Sequence, residues 1–271
     1  MTRDIWMGAA TALMITVAAC TAPASPPSSR SSFPAGTIVD LSHGYGSDTL
    51  FWPTAETFLL QVVSNGMTPG GYFYAANNFS TSEHGGTHID APVHFAERHQ
   101  TVEAIPLERL VGPAVVVDVT KAAAANADYL VTVADLTAFE AAHGRIPDKT
   151  ILLLRTGFSS RWPDAVRYLG TAERGDAAVR QLHFPGLDPE AARWLVDNRA
   201  IHAIGIDTAS IDYGQSTEFR THRILGAADI PGLENLTALD RLPPTGAYIV
   251  ALPMKIAGGS GAPTRVIAIV P

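Results

Sequence analysis

Residues 84–94 have the sequence His84-Gly85-Gly86-Thr87-His88-Ile89-Asp90-Ala91-Pro92-Val93-His94. Imidazole nitrogens and carboxylate oxygens are the ligands that a borderline cation such as Zn²⁺ or Mn²⁺ binds in proteins. His88 and Asp90 are two positions apart, so on a strand their side chains would face the same side. Gly85 and Gly86 can take backbone angles closed to other residues and so bring His84 back onto the same ion. The stretch therefore predicts a metal centre with His84, His88 and Asp90 as ligands and positions left free for water.

Proline has a local consequence in this stretch. Pro92 prevents a helix from running through the segment, which we therefore expect to end as strand or loop. The histidines that have no such cluster of ligand types around them are interpreted as ordinary core or surface residues: His43, His99, His143, His183 and His202.

The stretch also resembles the signature His-x-Gly-Thr-His-x-Asp-x-Pro-x-His of the cyclase family, which includes bacterial kynurenine formamidases and isatin hydrolases. That resemblance implies a distant His and Glu twelve positions apart, and His222 and Glu234 match this spacing. It continues through Asp40-Leu41-Ser42, Leu154-Arg155-Thr156-Gly157 and Gly205-Ile206-Asp207-Thr208, and so covers nearly all of the chain after the leader.

The resemblance implies a fold as well as a site. It predicts an α/β protein with the swivelling β/β/α cyclase-like fold, a mixed sheet with a few packing helices. It also implies oligomers in which subunits help close each other's sites, so we expect a homodimer or homotetramer.

The resemblance further implies chemistry based on one or two ions of Zn²⁺ or Mn²⁺ per subunit. His222 and Glu234 either complete a second metal site bridged by Asp90 or, if that site is empty, handle protons. A metal ion lowers the pKa of a bound water from about 16 toward about 7, so hydroxide becomes available to attack an amide carbonyl. His94 corresponds to the general acid or base of the family, because imidazole exchanges protons near neutral pH; the alternative is a further metal ligand.

Two segments are candidates for substrate contacts. Phe51 and Trp52 are suited to stacking on an aromatic substrate, although buried aromatic residues often only pack in a core. Gln215 and Ser216 are candidates to reach the water on the metal or a released carboxylate. The alternative is that they belong to a plain turn, because their neighbours are turn-forming residues.

Composition limits the possible partners. The 271 residues are 46% hydrophobic and 17% charged, which is enough apolar material for one sizeable core, and we place that domain at residues 37–271. The formal net charge is −7, and no cluster of Lys and Arg occurs along the sequence. A nucleic-acid partner is therefore not expected.

The N-terminus has the pattern of an export signal. Arg3 precedes an apolar run at residues 5–19, which is too short to span a bilayer comfortably. The run ends at Cys20, the single cysteine, in a context that resembles the lipobox of bacterial lipoproteins. We therefore predict a signal peptide at 1–20, lipidation at Cys20 and a Pro/Ser-rich linker at 21–36. Ordinary cleavage near Ala22 or Ala24 is the alternative.

These features predict where the protein is located in the cell. The domain would be lipid-anchored in a bacterial cell envelope, face the periplasm and touch the membrane only through its lipid.

Continuous apolar runs at 114–119 and 151–154 indicate strands buried on both faces. Helices are predicted to begin after Thr132, in a capping-box pattern, and after Asp188, which is followed by a proline.

Three functional hypotheses follow. The first is a metal-dependent hydrolase that opens the C–N amide bond of a small aryl amide, either N-formylkynurenine or the cyclic amide isatin, by attack of metal-bound hydroxide. The second is an envelope lipoprotein that binds divalent metal without catalysis, which would have no need of His94 or the Phe51-Trp52 pair. The third, an interaction domain with accidental histidines, does not explain the ligand spacing.

Overall fold

The structure is a computed structural model that describes Met1 and residues 35–271. The predicted signal peptide, Cys20 and almost all of the predicted linker lie outside the described residues. In the described part of the chain, no helix has both the length and the apolar character needed to cross a membrane.

The described residues form twelve strands and seven α-helices. The strands are β1 (Thr37–Asp40), β2 (Leu59–Met67), β3 (Phe73–Ser80), β4 (His88–Asp90), β5 (Val111–Asp118), β6 (Leu130–Val131), β7 (Ile151–Arg155), β8 (Gly186–Leu187), β9 (Ala203–Ile206), β10 (Gly232–Glu234), β11 (Thr245–Pro253) and β12 (Gly261–Val270). The helices are α1 (Leu107–Leu110), α2 (Thr120–Ala125), α3 (Val133–His143), α4 (Ala165–Leu169), α5 (Asp176–Val179), α6 (Pro189–Asn198) and α7 (Arg220–Gly226).

The main sheet has eight strands and closes on itself. Its order is β1-β12-β11-β5-β7-β9-β10-β4, and β4 also pairs with β12. The strands β5, β7, β9 and β10 run parallel, whereas β1, β12, β11 and β4 make antiparallel pairs. The result is the mixed α/β sheet that the sequence predicts, curved into a barrel-like arrangement that the short strand β4 closes between β10 and β12.

Side chains that alternate along the central strands separate two cores. On β7, Ile151 and Leu153 point into a core inside the curved sheet, while Leu152 and Leu154 point into a core on its outer face. The outer core is covered by α3 and α6, which contribute Leu136 and Leu195 among others. The prediction that the strand at 151–154 is buried on both faces is therefore confirmed.

The two predicted helices begin where their capping residues require. Thr132 and Asp135 form a reciprocal capping box at the start of α3, and the helix ends before Gly144 at φ 87°. Asp188 accepts a hydrogen bond from the Glu190 N–H at the start of α6, and Pro189 occupies the first turn.

One expectation from the sequence was wrong. The metal-binding stretch does not end as strand or loop after residue 91, because Pro92 begins a 3₁₀ helix at Pro92–His94. The first helical turn needs no N–H from its leading residue, so proline is tolerated there. The turn brings His94 back toward the strand that it follows.

Candidate metal centre and active site

The short strand β4 presents two of the predicted ligands at the seam where the sheet closes. His88 lies opposite Glu234 in the antiparallel pairing of β4 with β10. Directly opposed residues of an antiparallel pair place their side chains on the same face. The His88 Nε2 atom lies 3.2 Å from Asp90 Oδ1 and 3.4 Å from Glu234 Oε2. Pairing of the two strands therefore brings residues 146 positions apart to one point.

His84 and His222 complete the cluster from two sides. The Nδ1 atom of His84 lies 2.6 Å from Asp90 Oδ1. On α7, the Nε2 atom of His222 lies 2.9 Å from Asp90 Oδ2 and 3.1 Å from Glu234 Oε1. The five predicted ligands thus form two groups that could each hold an ion, His84–His88–Asp90 and Asp90–His222–Glu234, and Asp90 belongs to both.

The geometry of the cluster fits a divalent cation. Two ligand atoms on one tetrahedral ion lie about 3.3 Å apart when each bond is about 2.0–2.1 Å long. The separation of 3.2 Å between His88 Nε2 and Asp90 Oδ1 is close to that spacing. In addition, no residue of the described chain makes a hydrogen bond to the buried Nε2 atom of His88. An ion held by the cluster would satisfy this nitrogen.

The pKa values of the cluster point the same way. Burial alone would lower the pKa of His88, but the adjacent carboxylate of Asp90 and the charge of Glu234 raise it to about 9. Burial would likewise lower the pKa of His222, whereas its bonds to Asp212, Asp90 and Glu234 hold it well above its usual value. The carboxylates therefore draw positive charge into the centre of the cluster. A metal ion held by these residues would supply that charge in place of the protons.

His94 lies beside the cluster. Its ring stacks on the ring of His84, with centroids 3.8 Å apart and an angle of 17° between the planes. Burial lowers the pKa of His94 to about 4, and the positive charge of His84 acts in the same direction against the attraction of Asp90. His94 is therefore a neutral imidazole at neutral pH and is able to accept a proton.

A cavity of about 270 Å³ opens onto these groups. Its polar lining includes His84, His88, Asp90, His94, His222 and Glu234. The rest of its lining is mostly apolar and includes Phe51, Trp52, Phe95, Leu169 and Phe219. Such a combination of apolar walls and few polar groups is typical of a site for a small ligand.

Only one of the two predicted pairs of substrate-contacting residues lines the cavity. Phe51 and Trp52 line the cavity. Gln215 and Ser216 lie outside the cavity wall formed by the described residues, because the Gln215 amide donates to the Leu182 carbonyl and Ser216 Oγ bonds to Asp212 Oδ1. The turn-forming sequence directs these two side chains into hydrogen bonds within the loop and with its neighbour Leu182, and their contact with substrate stays a prediction.

Comparison with known proteins agrees with this geometry. A profile of the family described as "Putative cyclase" matches residues 39–213. The chain belongs to the cyclase family. The match spans β4 and its ligands, whereas His222 and Glu234 follow it.

Several named relatives of this chain are hydrolases. It is 34% identical to the isatin hydrolase of Roseibium aggregatum over 209 residues, covering 74% of this chain and 77% of the relative. It is 31% identical to the kynurenine formamidase of Salinibacter ruber over 191 residues, covering 69% of this chain and 76% of the relative. A solved structure, isatin hydrolase A from Ralstonia solanacearum, superposes with a TM-score of 0.78 at 38% identity, covering 87% of this cyclase and 92% of that chain. The likeness confirms the predicted family and fold.

Some residues that shape the site in this cyclase were missed by sequence reasoning. Asp212 Oδ2 lies 2.6 Å from His222 Nδ1 and also accepts the His222 backbone N–H at 3.1 Å. It therefore fixes both the imidazole and the start of α7, as partners behind metal ligands commonly do. Asp212 sits in a turn-forming segment, and nothing in its local pattern distinguishes it from a turn residue.

The loop before β4 is held by two further residues that the sequence did not mark. The Tyr45 hydroxyl donates to the carbonyls of Gly85 and Thr87. The Asn235 amide donates to the Gly86 carbonyl at 2.8 Å, while its oxygen accepts the Tyr168 hydroxyl at 2.9 Å. Gly86 takes φ 56°, in the left-handed region that favours glycine, and the ring of Tyr45 fills the space that a Cβ would need.

Proposed function

We propose that this protein is a metal-dependent hydrolase that opens the C–N amide bond of a small aryl amide, with an uncharged cyclic amide such as isatin as its preferred substrate. The observation that supports this proposal most directly is the cluster of five ligand side chains beside a neutral histidine, in a cavity with aromatic walls. The named isatin hydrolases and kynurenine formamidases support the reaction class.

The residues of the cavity suit each part of this reaction. A divalent cation held by His84, His88 and Asp90, with His222 and Glu234 at the adjoining group, would supply Lewis-acid chemistry and lower the pKa of water. Zn²⁺ and Mn²⁺ are the candidates, since both accept imidazole and carboxylate ligands. His94 accepts the proton of the attacking water and returns it to the leaving nitrogen, as a neutral imidazole in contact with the cavity can do.

Charge in the cavity favours isatin over N-formylkynurenine. N-formylkynurenine carries an α-carboxylate and an α-ammonium group, whereas isatin is neutral. Among the described residues that line the cavity there is no Lys or Arg to pair with a carboxylate, and Asp90 and Glu234 are themselves acidic. Burying an unpaired carboxylate there would be unfavourable. Apolar walls that include Trp52 and Phe219, with ring centroids 6.2 Å apart, suit a flat neutral ring instead.

Steady-state kinetics with both amides test this proposal. The purified, metal-loaded protein is expected to open isatin with a kcat/KM at least about tenfold above that for N-formylkynurenine, which corresponds to about 1.4 kcal/mol. A preference for N-formylkynurenine would refute the choice of substrate but not the hydrolase. Tight metal binding with no turnover of either amide would favour the alternative of a non-catalytic metal-binding lipoprotein.

We also propose that the protein is a homo-oligomer assembled through the ribbon of β2 and β3. Both strands expose large apolar side chains, for example Val62 at 61% and Phe73 at 62%. Residues 57–82 contain no charged side chain, although 17% of the whole chain is charged. A two-stranded ribbon exposed on both faces is marginally stable in water, and homodimer interfaces are apolar and poor in charge. Together these properties favour a second copy of this chain as the covering surface.

A charge placed in the ribbon tests this assembly. We expect the wild-type protein to sediment as a dimer or tetramer and the Val62→Asp variant to sediment as a monomer. Leu107→Asp, on α1 and equally exposed at 65%, serves as the matched control and should leave the assembly unchanged. A wild-type protein that sediments as a monomer at micromolar concentration would contradict the proposal.

Finally, we propose that the domain is held in the cell envelope by a lipid on Cys20 and faces the periplasm. The apolar run at residues 5–19 and the single cysteine that follows it support this location. In an exporting bacterium, Cys20→Ser should move the protein from the membrane fraction to the soluble fraction. An unchanged distribution would contradict lipid anchoring.

A further inference from the structure

One predicted ligand contacts a glycine-rich turn on the side away from the metal cluster. The His84 side chain is 22% exposed, compared with 3% for His88 and 6% for Asp90. Its Nδ1 atom lies 2.6 Å from Asp90 Oδ1, while its Nε2 atom lies 2.9 Å from Ser260 Oγ. The ring therefore bridges the cluster and the turn at residues 258–261, which the chemistry above does not use.

The contacts of Ser260 determine which nitrogen of His84 carries a proton. Ser260 Oγ lies 2.6 Å from Glu83 Oε2, and a carboxylate can only accept a hydrogen bond. Because a hydroxyl has one proton to donate, Ser260 gives it to Glu83 and accepts from His84 Nε2. In this structure Nδ1 also shares a proton with Asp90; where a metal ion takes the place of that proton, the neutral imidazole keeps its proton on Nε2 and its Nδ1 lone pair faces the cluster.

The position of Ser260 is fixed by its backbone. Its N–H donates to Glu83 Oε2 at 3.0 Å, and its carbonyl accepts the Ala91 N–H at 2.8 Å, directly after β4. At the next position, a Cβ on Gly261 would lie 2.5 Å from His84 Cε1, so only glycine leaves room for the ring. The imidazole thus contacts both Gly261 and the ring of His94, and both limit where it can lie.

We propose that Ser260 and Glu83 are positioning residues that hold His84 in the tautomer and orientation in which Nδ1 binds the metal. This inference rests on the metal site of the proposed function. It assigns a role to the turn Gly258-Gly259-Ser260-Gly261 and to the residue that precedes the first ligand. Partners of this kind, which bond to the second nitrogen of a ligating histidine, typically contribute 10- to 100-fold to metal affinity.

Metal affinity measured by competition with a chromophoric chelator tests the inference without using activity. Ser260→Ala is expected to weaken binding of Zn²⁺ or Mn²⁺ roughly 10- to 100-fold. Glu83→Gln should weaken it less, because a neutral amide oxygen still accepts from Ser260, though less strongly. Ser260→Thr keeps the hydroxyl and should restore most of the affinity.

A matched control separates positioning from general damage to the turn. Glu103 accepts the Gly258 N–H at 2.9 Å and so contacts the same turn, but no hydrogen bond among the described residues joins it to His84 or Ser260. Glu103→Gln should leave metal affinity unchanged. The melting temperature of the metal-free protein should be similar in all four variants, while the increase on adding metal should shrink only in Ser260→Ala and Glu83→Gln.

The outcomes distinguish this inference from the proposed function. If the wild-type protein binds metal tightly and Ser260→Ala binds it equally well, the positioning role is refuted and the metal site stands. If Glu103→Gln loses as much affinity as Ser260→Ala, the effect belongs to the turn as a whole and the inference is again refuted. If the wild-type protein binds no metal, the proposed function itself fails.

Discussion

Removal of the Asp207 carboxylate should be among the most destabilising single substitutions in this protein. Asp207 follows β9 and is buried, with 1% exposure. One of its oxygens accepts the backbone N–H and the hydroxyl of Thr156, each at 2.7 Å, and the other accepts the Gly157 N–H at 2.8 Å. These bonds join the ends of the neighbouring parallel strands β7 and β9.

The size of the effect follows from the donors that Asp207→Ala would leave unpaired. The Thr156 hydroxyl can rotate to another acceptor, but the N–H groups of Thr156 and Gly157 cannot. A buried donor without a partner costs about 1–3 kcal/mol, so two of them cost roughly 2–6 kcal/mol. The free energy of unfolding should therefore fall by about 4 kcal/mol, a large part of the stability of a typical domain.

Urea denaturation followed by tryptophan fluorescence measures this loss. Asp188→Ala is the matched control, since Asp188 is also an acceptor of a backbone N–H but caps α6 at the surface. Loss of such a cap costs about 1 kcal/mol. An Asp207→Ala protein that loses no more stability than Asp188→Ala would refute the assignment of these bonds as a major link between the two strands.

Three further predictions concern the site and its support. His94→Ala should lower kcat about 10²- to 10⁴-fold, whereas the control His99→Ala should not. Because the pKa of His94 is about 4, protonation of His94 should not reduce the wild-type kcat/KM until the pH falls toward that value. A loss of activity assigned to His94 near pH 6.5 would contradict this. Gly85→Ala should raise KM for aromatic amides several-fold, because the new Cβ would lie 2.0 Å from Phe51 Cδ1, while Gly44→Ala, with no described atom within 4 Å of its Cβ, should leave KM unchanged. Glu140→Gln should lower the free energy of unfolding by about 1 kcal/mol at pH 7 by removing the ion pair with Arg199 that joins α3 to α6. The hydrogen bond from Arg199 lowers the pKa of Glu140, so this difference should be present above the unfolded pKa of about 4.3 and disappear as the pH falls through the lower folded value.

The residues of the metal cluster were predictable because their chemistry is visible in short spacings. His84, His88 and Asp90 lie within seven positions, and the pattern of strand and glycines indicates how they converge. His222 and Glu234 could be placed only through the family resemblance, since their convergence depends on the pairing of β10 with β4. Sequence spacing alone does not specify which strands become neighbours in a sheet.

The residues that support the cluster could not be predicted in the same way. Ser260 lies 176 positions from His84, and a serine between glycines also fits an ordinary turn. Gln215 and Ser216 had the chemistry of substrate contacts, but the local loop uses their hydrogen-bonding groups itself. Likewise, nothing in the residues of β2 and β3 taken alone indicates that both faces of the ribbon remain exposed.

The central claim is that side chains from 84, 88, 90, 222 and 234 act together around a divalent cation. Its most direct test is to strip the purified protein with a chelator, add back Mn²⁺ or Zn²⁺ in defined amounts, and measure bound metal and amide hydrolysis in the same samples. We predict that activity disappears on stripping and returns in proportion to the metal bound, and that His222→Ala and Asp90→Ala both prevent this recovery. Full activity in metal-stripped protein, or normal recovery in Asp90→Ala, would contradict it.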